Sequence, residues 1–359
     1  MKKTIKQSVG IDVAQAELVV CFTLLQEDLS HEKKWTKTFS NNAKGFKNMM
    51  ALVKKNQAMD APLCYVCEAT GVYHEALVYY LADAGCTVHV VLPNKIAHFF
   101  RSLDVKTVTD FTCAEVISEF GFRTLTAWHK PDVEYKNLKH LTRERCQIVE
   151  ERTLVKNQLH AEKAQAEPYP ATIDRSNARI RILNKQEKEV LKELHQIIIS
   201  SEKIKHQVHL ITSIPGIGEL TAATILAETN GFDLIKSKKQ LTSYAGLDVK
   251  EKLSGTSVHG KPKISKRGNK HLRKCLHFPA LTAIRHELQY KEIFVRLVSK
   301  HGIKMKAAVA VQRKLLELSY TLVKNNVMYK ASHIEKEKIE CPNEKATIVN
   351  KKLVGELTK

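Results

Sequence analysis

The chain has 359 residues, and its 58 Lys and Arg residues outnumber 38 Asp and Glu residues, which gives a formal net charge of +20 at pH 7. Such an excess attracts polyanions, either nucleic acid or an anionic membrane. No apolar stretch approaches the roughly 20 residues that span a bilayer, and no apolar signal core follows the basic start. The composition therefore favours a cytoplasmic protein of two or three domains with a nucleic-acid partner and no membrane partner.

Strands and helices alternate over the first 130 residues. The apolar runs predict strands at 9–23, 35–39, 62–68 and 87–92. The helical periodicities, with Ser40 or Asn41 as a cap for the first, predict helices at 42–55, 72–84 and 110–120. This alternation predicts a mixed sheet flanked by helices.

Three carboxylates fall at the ends of these predicted elements. Asp12 lies in the run Ser8–Val13, Glu68 closes a buried strand, and Asp110 opens a helix. Mg²⁺ prefers oxygen ligands, and a fold gathers them from distant parts of a chain in this way. The ordinary alternative is a set of caps and ion-pair partners, with Asp110 as a helix N-cap.

A cysteine stands where a fourth carboxylate would complete such a set. Cys113 shares a helical face with Asp110, three residues before it. A thiol is a poor ligand for Mg²⁺ because it is soft and mostly protonated near neutral pH. Glu115 points to a different face and Asp104 precedes the helix, so the sequence offers no clean replacement. The pair Cys64 and Cys67 lacks a second half-site for zinc and is best interpreted as buried thiols.

Two long helical patterns follow. Apolar residues recur every seven positions from Leu141 to Val155, and a second seam begins after Pro168 and Pro170. Its positions alternate in spacings of three and four, with Glu187 and Ser201 in the two polar positions and apolar residues in the others: Ile180, Leu183, Val190, Leu194, Ile197, Ile204 and Val208. This is typical of a coiled-coil seam, either in an arm that joins protomers or in a helical hairpin packed on its own domain.

The third segment carries the strongest positive charge. Residues 213–219 form a glycine-marked turn before the predicted helix 220–228, as in helix-hairpin-helix modules that point backbone N–H groups at a phosphate. From Lys236 to Arg285 there are 13 basic and two acidic residues, interleaved with glycines and hydroxyls. Such a run is often only a solvated face, but the glycines let the backbone approach a phosphodiester. The predicted nucleic-acid-binding residues are Lys261, Lys263, Ser265, Lys266, Arg267, Lys270, Arg273, Gly216 and Gly218.

These patterns divide the chain into four parts. The predicted boundaries are an α/β domain at 1–130, a helical coiled-coil arm at 131–209, a mainly helical domain at 210–328 and a loosely ordered tail at 329–359.

Several separated motifs, in order, give the chain a family resemblance that covers about residues 6 to 328. It resembles the DEDD transposases of bacterial insertion sequences, whose members include the Piv-type site-specific invertases. The matching segments are Gly10–Val13, Glu68–Gly71, Ser102–Asp110, Ile214–Gly218, Tyr244–Leu247, Ser254–Gly255 and Ile264–Asn269.

The resemblance implies a fold class of α/β plus α. Its parts are an RNase H-like (RuvC-like) domain, a helical arm and a carboxy-terminal transposase domain. It implies Mg²⁺ held by Asp12, Glu68 and Asp110, and it implies that Ser254 attacks DNA, with Ser257 and Ser265 as nearby substitutes. Family members of this kind are similar to recombinases that act as homo-oligomers, dimers or tetramers, on donor and target DNA under a structured noncoding guide RNA. The family pattern has Asp where this chain has Cys113.

The resemblance therefore predicts RNA-guided DNA recombination through a covalent phosphoserine intermediate, with Asp12, Glu68, Asp110, Cys113 and Ser254 at the catalytic positions. Two other classes stay open. A RuvC-like metal nuclease would let water attack and use Ser254 only as a phosphate contact. A catalytically impaired protein would still bind nucleic acid, and Cys113 is the residue that supports this alternative.

Overall fold

The computed structural model describes residues 3–103, 105–233, 235–251, 253–254, 258–260 and 263–330; for residues 253, 254, 258 and 259 it describes only the backbone. The predicted tail lies outside these residues beyond residue 330, as do Asp104 and Lys261. The contacts divide the chain into two compact units, Met1–Lys130 and Pro131–Lys359.

The first unit is built on a five-stranded mixed sheet. The strands are β1 (Thr4–Val13), β2 (Glu17–Gln26), β3 (His31–Ser40), β4 (Leu63–Glu68) and β5 (Val88–Val91). Their order is β3-β2-β1-β4-β5. The first three strands form an antiparallel meander, and β4 and β5 run parallel to β1. This order confirms the predicted RNase H-like mixed sheet.

Helices cover both faces of this sheet. They are α1 (Ala43–Asn56), α2 (Glu75–Asp83), α3 (Pro93–Arg101) and α4 (Asp110–Phe120). On one face, Phe46 and Met49 of α1 and Leu77 of α2 pack with Val9 and Ile11 of β1. On the other face, Ile96 of α3 and Ile117 of α4 pack with Val66 and Val91. Because neighbouring residues of a strand point to opposite faces, each strand contributes to both layers.

Two elements of this unit differ from the prediction. The apolar run 9–23 is not one strand but the hairpin of β1 and β2, whose turn is closed by a hydrogen bond from Ala14 N to Glu17 O (2.9 Å). No Gly, Pro or Asn marks this turn, so the apolar pattern hides it. Helix α3 is not among the predicted helices; it begins at Pro93, directly after the predicted strand 87–92, where proline is suited to the first turn of a helix.

The second unit is mainly helical. Its helices are α5 (Val133–Lys163), α6 (Pro170–Ser200), α7 (Glu202–Thr212), α8 (Glu219–Thr229), α9 (Lys238–Ala245), α10 (Lys270–Cys275), α11 (His277–His286), α12 (Leu288–His301) and α13 (Lys304–Asn325). The seam predicted from Ile180 to Val208 is divided at Ser201 between α6 and α7. A large apolar core joins the bases of α5 and α6 with α7 to α13.

Helices α5 and α6 pack along each other as an antiparallel pair. The predicted seam lies between them, with Ile148 and Val155 packed on Leu183 and Val190. Glu187 of α6 is ion-paired with Arg145 (2.8 Å) and with Arg152, both on α5. The seam thus packs within one chain, and a role of this arm in joining protomers stays a prediction.

Short strands complete the unit. Strand β6 (Val249–Lys250) pairs with β9 (Lys263–Ile264), and β7 (Leu253–Ser254) pairs with β8 (Val258–His259), all antiparallel. Helices α7 and α8 flank the glycine-marked turn, as the prediction of a helix-hairpin-helix-like motif requires. No helix among the described residues is both long enough and apolar enough to cross a bilayer.

Candidate metal centre and nucleic-acid interface

Strand β1 presents alternate residues to α4, and Asp12 is the last of them. Gly121, just after α4, leaves no room for a Cβ because Ser8 Oγ would lie 2.1 Å away, and Ser118 Oγ donates to Ser8 O (3.0 Å). Gly10 lies farther along β1 against Ala114 and Ser118. Strand and helix therefore run in opposite directions, so two more residues of β1 bring Asp12 to the level of the first turn of α4.

Gly10 allows this close approach. A Cβ built there would lie 2.1 Å from Ser118 N and 2.4 Å from Ala114 O, which are backbone atoms that cannot swing aside. Only a glycine lets the helix backbone lie this close to the strand. The absence of one side chain thus sets the distance between β1 and the helix that carries Asp110 and Cys113.

Strand β4 places Glu68 beside Asp12 on the same face. Ile11 pairs with Cys67 in parallel register, so the next residue of each strand, Asp12 and Glu68, follows at the carboxyl edge. Cys67 packs on the α1–α2 side, whereas Val66 packs on the α4 side. Alternation then directs Glu68 to the α4 side, like Asp12. It also places Cys64 and Cys67 on opposite faces, as two separate buried free thiols.

Asp110 does not cap its own helix. The N-cap of α4 is Thr109, whose hydroxyl accepts from Thr112 N (3.2 Å) while Thr109 N donates to the Thr112 hydroxyl (2.8 Å). This capping box satisfies two of the backbone groups at the helix start. The ordinary structural role predicted for Asp110 is therefore filled by its neighbour, and its exposed carboxylate is not needed as the N-cap.

The carboxylates lie within electrostatic range of one another. Burial, together with the charges of Asp110 and Glu68, raises the pKa of Asp12 from 3.8 to about 6. Cys113 belongs to the same cluster, because burial and the charges of Asp12, Asp110 and Glu68 raise the pKa of its thiol. At neutral pH Cys113 is therefore an uncharged thiol. Glu115 is directed away and is ion-paired with Lys33 (2.7 Å).

This donor set fits a hard divalent cation by its chemistry. A Mg²⁺ ion would relieve the repulsion that the charges of Asp110 and Glu68 exert on that of Asp12. In the described part of the chain, no three acidic, His or Cys side chains stand in a closed coordinating arrangement. Asp12, Glu68 and Asp110 would hold the ion, and water would fill the remaining positions.

Replacing Asp12 with asparagine is expected to stabilise the cation-free protein. The pKa of Asp12 is raised in the folded state, so its contribution to folding becomes unfavourable as pH rises from about 4 to about 6 and stays unfavourable above that range. At neutral pH the free energy of unfolding of Asp12→Asn should exceed that of the parent by at most about 3 kcal/mol, since solvent screens part of the repulsion on Asp12. This difference should vanish below about pH 4, where the carboxyl is protonated in both states.

Denaturant unfolding in EDTA across this pH range measures the effect, with Asp60→Asn as the control at an exposed turn position. Equal stabilities of the Asp12→Asn variant and the parent at neutral pH would contradict the burial and repulsion assigned to this carboxylate.

In the second unit, a short loop between β9 and α10 carries much of the exposed positive charge. Lys263, Lys266, Arg267 and Lys270 are exposed there. Lys266 has a left-handed backbone (φ 53°), and Gly246, against which the loop packs, has φ 68°. A Cβ at Gly246 would lie 3.1 Å from the carbonyl carbons of Lys266 and Arg267. The loop is thus seated on the end of α9 with its basic side chains outward.

Two of the predicted phosphate contacts make bonds within the protein. Ser265 Oγ donates to Asp248 Oδ1 (2.5 Å), and Arg273 Nη1 donates to the carbonyls of Ala245 (2.8 Å) and Gly268 (3.1 Å). These bonds hold the loop in shape. Contacts of Ser265 and Arg273 with nucleic acid stay predictions, as does the role of Lys261.

Ser254 lies on the backbone hairpin of β7 and β8, which falls between β6 and β9 in the sequence. It pairs with Val258 across the strands β7 and β8. The flanking strands β6 and β9 pair through Val249 and Ile264, and Ser265 N donates to Asp248 O (2.8 Å) at their base. The hairpin with Ser254 and the basic loop therefore share one base.

The glycine-marked turn is separated from this loop. Gly216 (φ 89°) packs against Pro279 and Thr282 of α11, and Gly218 begins α8 in open space. The basic loop instead contacts the other end of α8 through Glu228. Eleven helical residues separate the two by about 15 Å, so the structure does not bring the predicted phosphate contacts into one cluster.

The sequence interpretation missed one buried polar group. Glu228 is 3% exposed and binds Arg143 of α5 and Asn269 of the basic loop. The available signal is an acidic residue in the last turn of helix α8, directly after the apolar run Ile225–Ala227, but its partners are distant in sequence.

Comparison with known proteins places both units in one family. The profile of the DEDD transposases of IS110 type matches residues 9–162, and that of the "Transposase IS116/IS110/IS902 family" matches residues 208–294; together they span more than half of the chain. The chain is 28% identical over 327 residues to the pilin gene-inverting protein of Moraxella bovis, covering 89% of this chain and 97% of that protein. It is 23% identical over 300 residues to the transposase for insertion sequence element IS1111A of Coxiella burnetii, covering 74% and 79%.

Among solved structures, Thermus thermophilus RuvC in complex with a Holliday junction substrate aligns with a TM-score of 0.27 and 9% identity, over 34% of this chain and 99% of that one. Both profiles match in the order of the two units, and the relatives match over most of their own lengths. The chain therefore belongs to the IS116/IS110/IS902 family of transposases.

Proposed function

We propose that this protein is a DNA recombinase that cuts and joins strands through a covalent bond between DNA and Ser254. The observation that carries the proposal is the convergence of Asp12, Glu68 and Asp110 on one face of β1, β4 and α4. Family membership supports it, because the profiles match both the unit with the carboxylates and the unit with the serine.

The proposed step is a transesterification at one phosphodiester. Ser254 Oγ loses its proton and bonds to phosphorus, the bond from phosphorus to one bridging oxygen breaks, and that oxygen takes up a proton as a free DNA hydroxyl. One phosphodiester is replaced by another, so the bond energy is kept for rejoining to a second strand. The covalent link is a 5′- or a 3′-phosphoserine bond.

The carboxylates have a separate role. A bound Mg²⁺ supplies neutralisation of the charge that develops on phosphoryl oxygens. Asp12, Glu68 and Asp110 would hold it, and the raised pKa of Asp12 means that cation binding also displaces a proton from this residue near pH 6.

The basic loop would hold the nucleic acid. Lys263, Lys266, Arg267 and Lys270 are exposed around one short loop, so they can contact successive phosphates without reading the sequence. We assign the choice of sites to a structured noncoding guide RNA that pairs with donor and target DNA, within a dimer or tetramer of the protein. Nucleic acid that copurifies with the chain, once sequenced, would test this assignment.

The decisive experiment traps the covalent intermediate. Protein incubated with Mg²⁺ and copurified or element-end nucleic acid should give a protein–DNA adduct that survives denaturing electrophoresis. Ser254→Ala should abolish the adduct, because the attacking oxygen is removed, whereas Ser257→Ala, three residues later in the sequence, should keep it. An undiminished adduct in Ser254→Ala, or its loss only in Ser257→Ala, would remove Ser254 from the mechanism.

One observation favours a second function. The uncharged Cys113 thiol stands among the three carboxylates where the family pattern has Asp. A protein with a weakened cation site would still assemble on nucleic acid without cutting it. Intact binding with no strand cleavage at any Mg²⁺ or Mn²⁺ concentration would establish this second function, and cleavage without an adduct would indicate a metal nuclease that uses water.

A further inference from the structure

A buried carboxylate connects the basic loop to helix α5. Both oxygens of Glu228 are occupied: Arg143 Nε donates to Oε1 (2.7 Å), and Arg143 Nη2 donates to Oε2 (2.9 Å). The same Oε2 accepts from Asn269 Nδ2 (2.6 Å). The side chain of Glu228 is completely shielded from solvent, whereas that of Arg143 is 42% exposed. Glu228 thus joins two elements that are more than a hundred residues apart in the sequence.

Asn269 makes hydrogen bonds through its backbone nitrogen and through both the oxygen and the nitrogen of its side-chain amide. Its Oδ1 accepts from His271 N (2.9 Å) and Leu272 N (3.3 Å) as the N-cap of α10, and its own N donates to Tyr244 O (2.8 Å). Tyr244 in turn donates its hydroxyl to Glu228 O (2.8 Å). The bond to Glu228 therefore ties the side-chain nitrogen of Asn269 to a carboxylate buried in the core.

This anchor stands directly after the exposed basic residues. Lys266 N donates to Gly246 O (3.1 Å), and Gly268 lies so close to Tyr244 O that a Cβ would approach within 2.4 Å. The loop is thus bound at its start by Gly246 and at its end by Asn269. Lys266 and Arg267 lie between these points, so the place of their charges depends on both anchors.

A charged residue at this buried position requires its partners. Burial would raise the pKa of Glu228, but the hydrogen bonds from Arg143 and Asn269 outweigh it, and the pKa lies below its usual value. Glu228 therefore stays ionised. Both oxygens of Glu228 face N–H donors, so either orientation of a glutamine amide would direct its own N–H groups at a donor: at Arg143 Nε in place of Oε1, or at Arg143 Nη2 and Asn269 Nδ2 in place of Oε2.

We propose that Glu228 is a positioning residue for phosphate binding: with Arg143 and Asn269 it holds the loop 265–268 in the shape that presents Lys266 and Arg267 to one nucleic-acid backbone. The proposal rests on the proposed nucleic-acid binding by this loop and adds a residue that touches no phosphate itself. It also makes α5 part of the support of the loop.

The test measures binding of a short fluorescein-labelled DNA duplex of mixed sequence to the full-length protein, at several salt concentrations. Glu228→Gln should weaken binding by about tenfold and reduce the slope of log affinity against log salt by about two, because two phosphate contacts are lost. Asn269→Ser should act alike: serine still caps α10 but does not reach Glu228. Glu187→Gln is the matched control, since Glu187 is also a shielded carboxylate between two arginines, away from the loop.

A double-mutant cycle separates positioning from general stability. Lys266→Ala combined with Arg267→Ala should weaken binding by itself and should lose nothing further when Glu228→Gln is added. Additive losses of affinity would overturn the proposal. It would also be overturned if Glu228→Gln and Asn269→Ser lowered the melting temperature but kept the affinity and the salt slope of the parent. If the Lys266 and Arg267 double variant binds as the parent does, the loop is not a binding surface, and the proposed role of the loop fails together with that of Glu228.

Discussion

A Gly10→Ala variant is expected to lose about 3 kcal/mol or more of stability and most of its affinity for divalent cations. The added methyl would lie 2.1 Å from Ser118 N and 2.4 Å from Ala114 O, so α4 has to move away from β1 as a whole. Asp110 and Cys113 move with it and leave Asp12. Melting temperature, hydrogen exchange of the α4 amides and Mn²⁺ affinity measure the three consequences.

Gly85→Ala is the control in the same unit. A Cβ there meets nothing within 4 Å, although its φ of 74° is left-handed, so the expected cost is about 1 kcal/mol with no effect on cation binding. A Gly10→Ala variant no less stable than Gly85→Ala would show that α4 does not need this approach. A destabilised variant with the cation affinity of the parent would show that the carboxylates are not positioned by it.

The residues of the acidic site can be proposed from the sequence, whereas the packing of β1 on α4 that brings them together cannot. Strand ends and helix starts place carboxylates at one sheet edge, so the pattern offers Asp12, Glu68 and Asp110 as candidates, and the family resemblance selects them as predicted metal ligands. The close contact of Gly10 with Ala114 and Ser118 could not be predicted in this way, because it joins segments that are more than a hundred residues apart. Sequence patterns report local periodicity, whereas the spacing of layers is a tertiary property.

The same limit applies to the second unit. The coiled-coil seam was found because its repeat is local, and Ile148, Val155, Leu183 and Val190 do pack together. The connection from Glu228 to Arg143 and Asn269 was missed because each partner alone has an ordinary explanation. The N-cap of α4 shows that even the role of a single residue can depend on its neighbours. Asp110 was an acceptable N-cap by type, but Thr109 takes the position, because with Thr112 it completes a capping box.

A Cys113→Asp variant is expected to bind Mg²⁺ at least about tenfold more tightly than the parent, because a fourth carboxylate is added to a set of three oxygen donors. Without cation the same change should be unfavourable by about 1–2 kcal/mol. The three carboxylates and burial that raise the pKa of the Cys113 thiol would act on the new charge in the same direction. Stability and cation affinity should thus change in opposite directions.

Calorimetric titration with Mg²⁺ and unfolding in EDTA measure the two effects, and neither requires catalytic activity. Cys113→Ser is the control, since it replaces the thiol with a small neutral group and should leave both quantities close to those of the parent. If Cys113→Asp bound Mg²⁺ no better than Cys113→Ser, residue 113 would lie outside the cation site. The presence of Cys113 would then be no reason to expect impaired cleavage. If affinity rises as expected, strand cleavage by the variant, compared with the parent, shows whether the thiol is what limits this transposase. A gain in cleavage would mean that the natural chain is restrained at this one side chain, because every other residue of the site is unchanged.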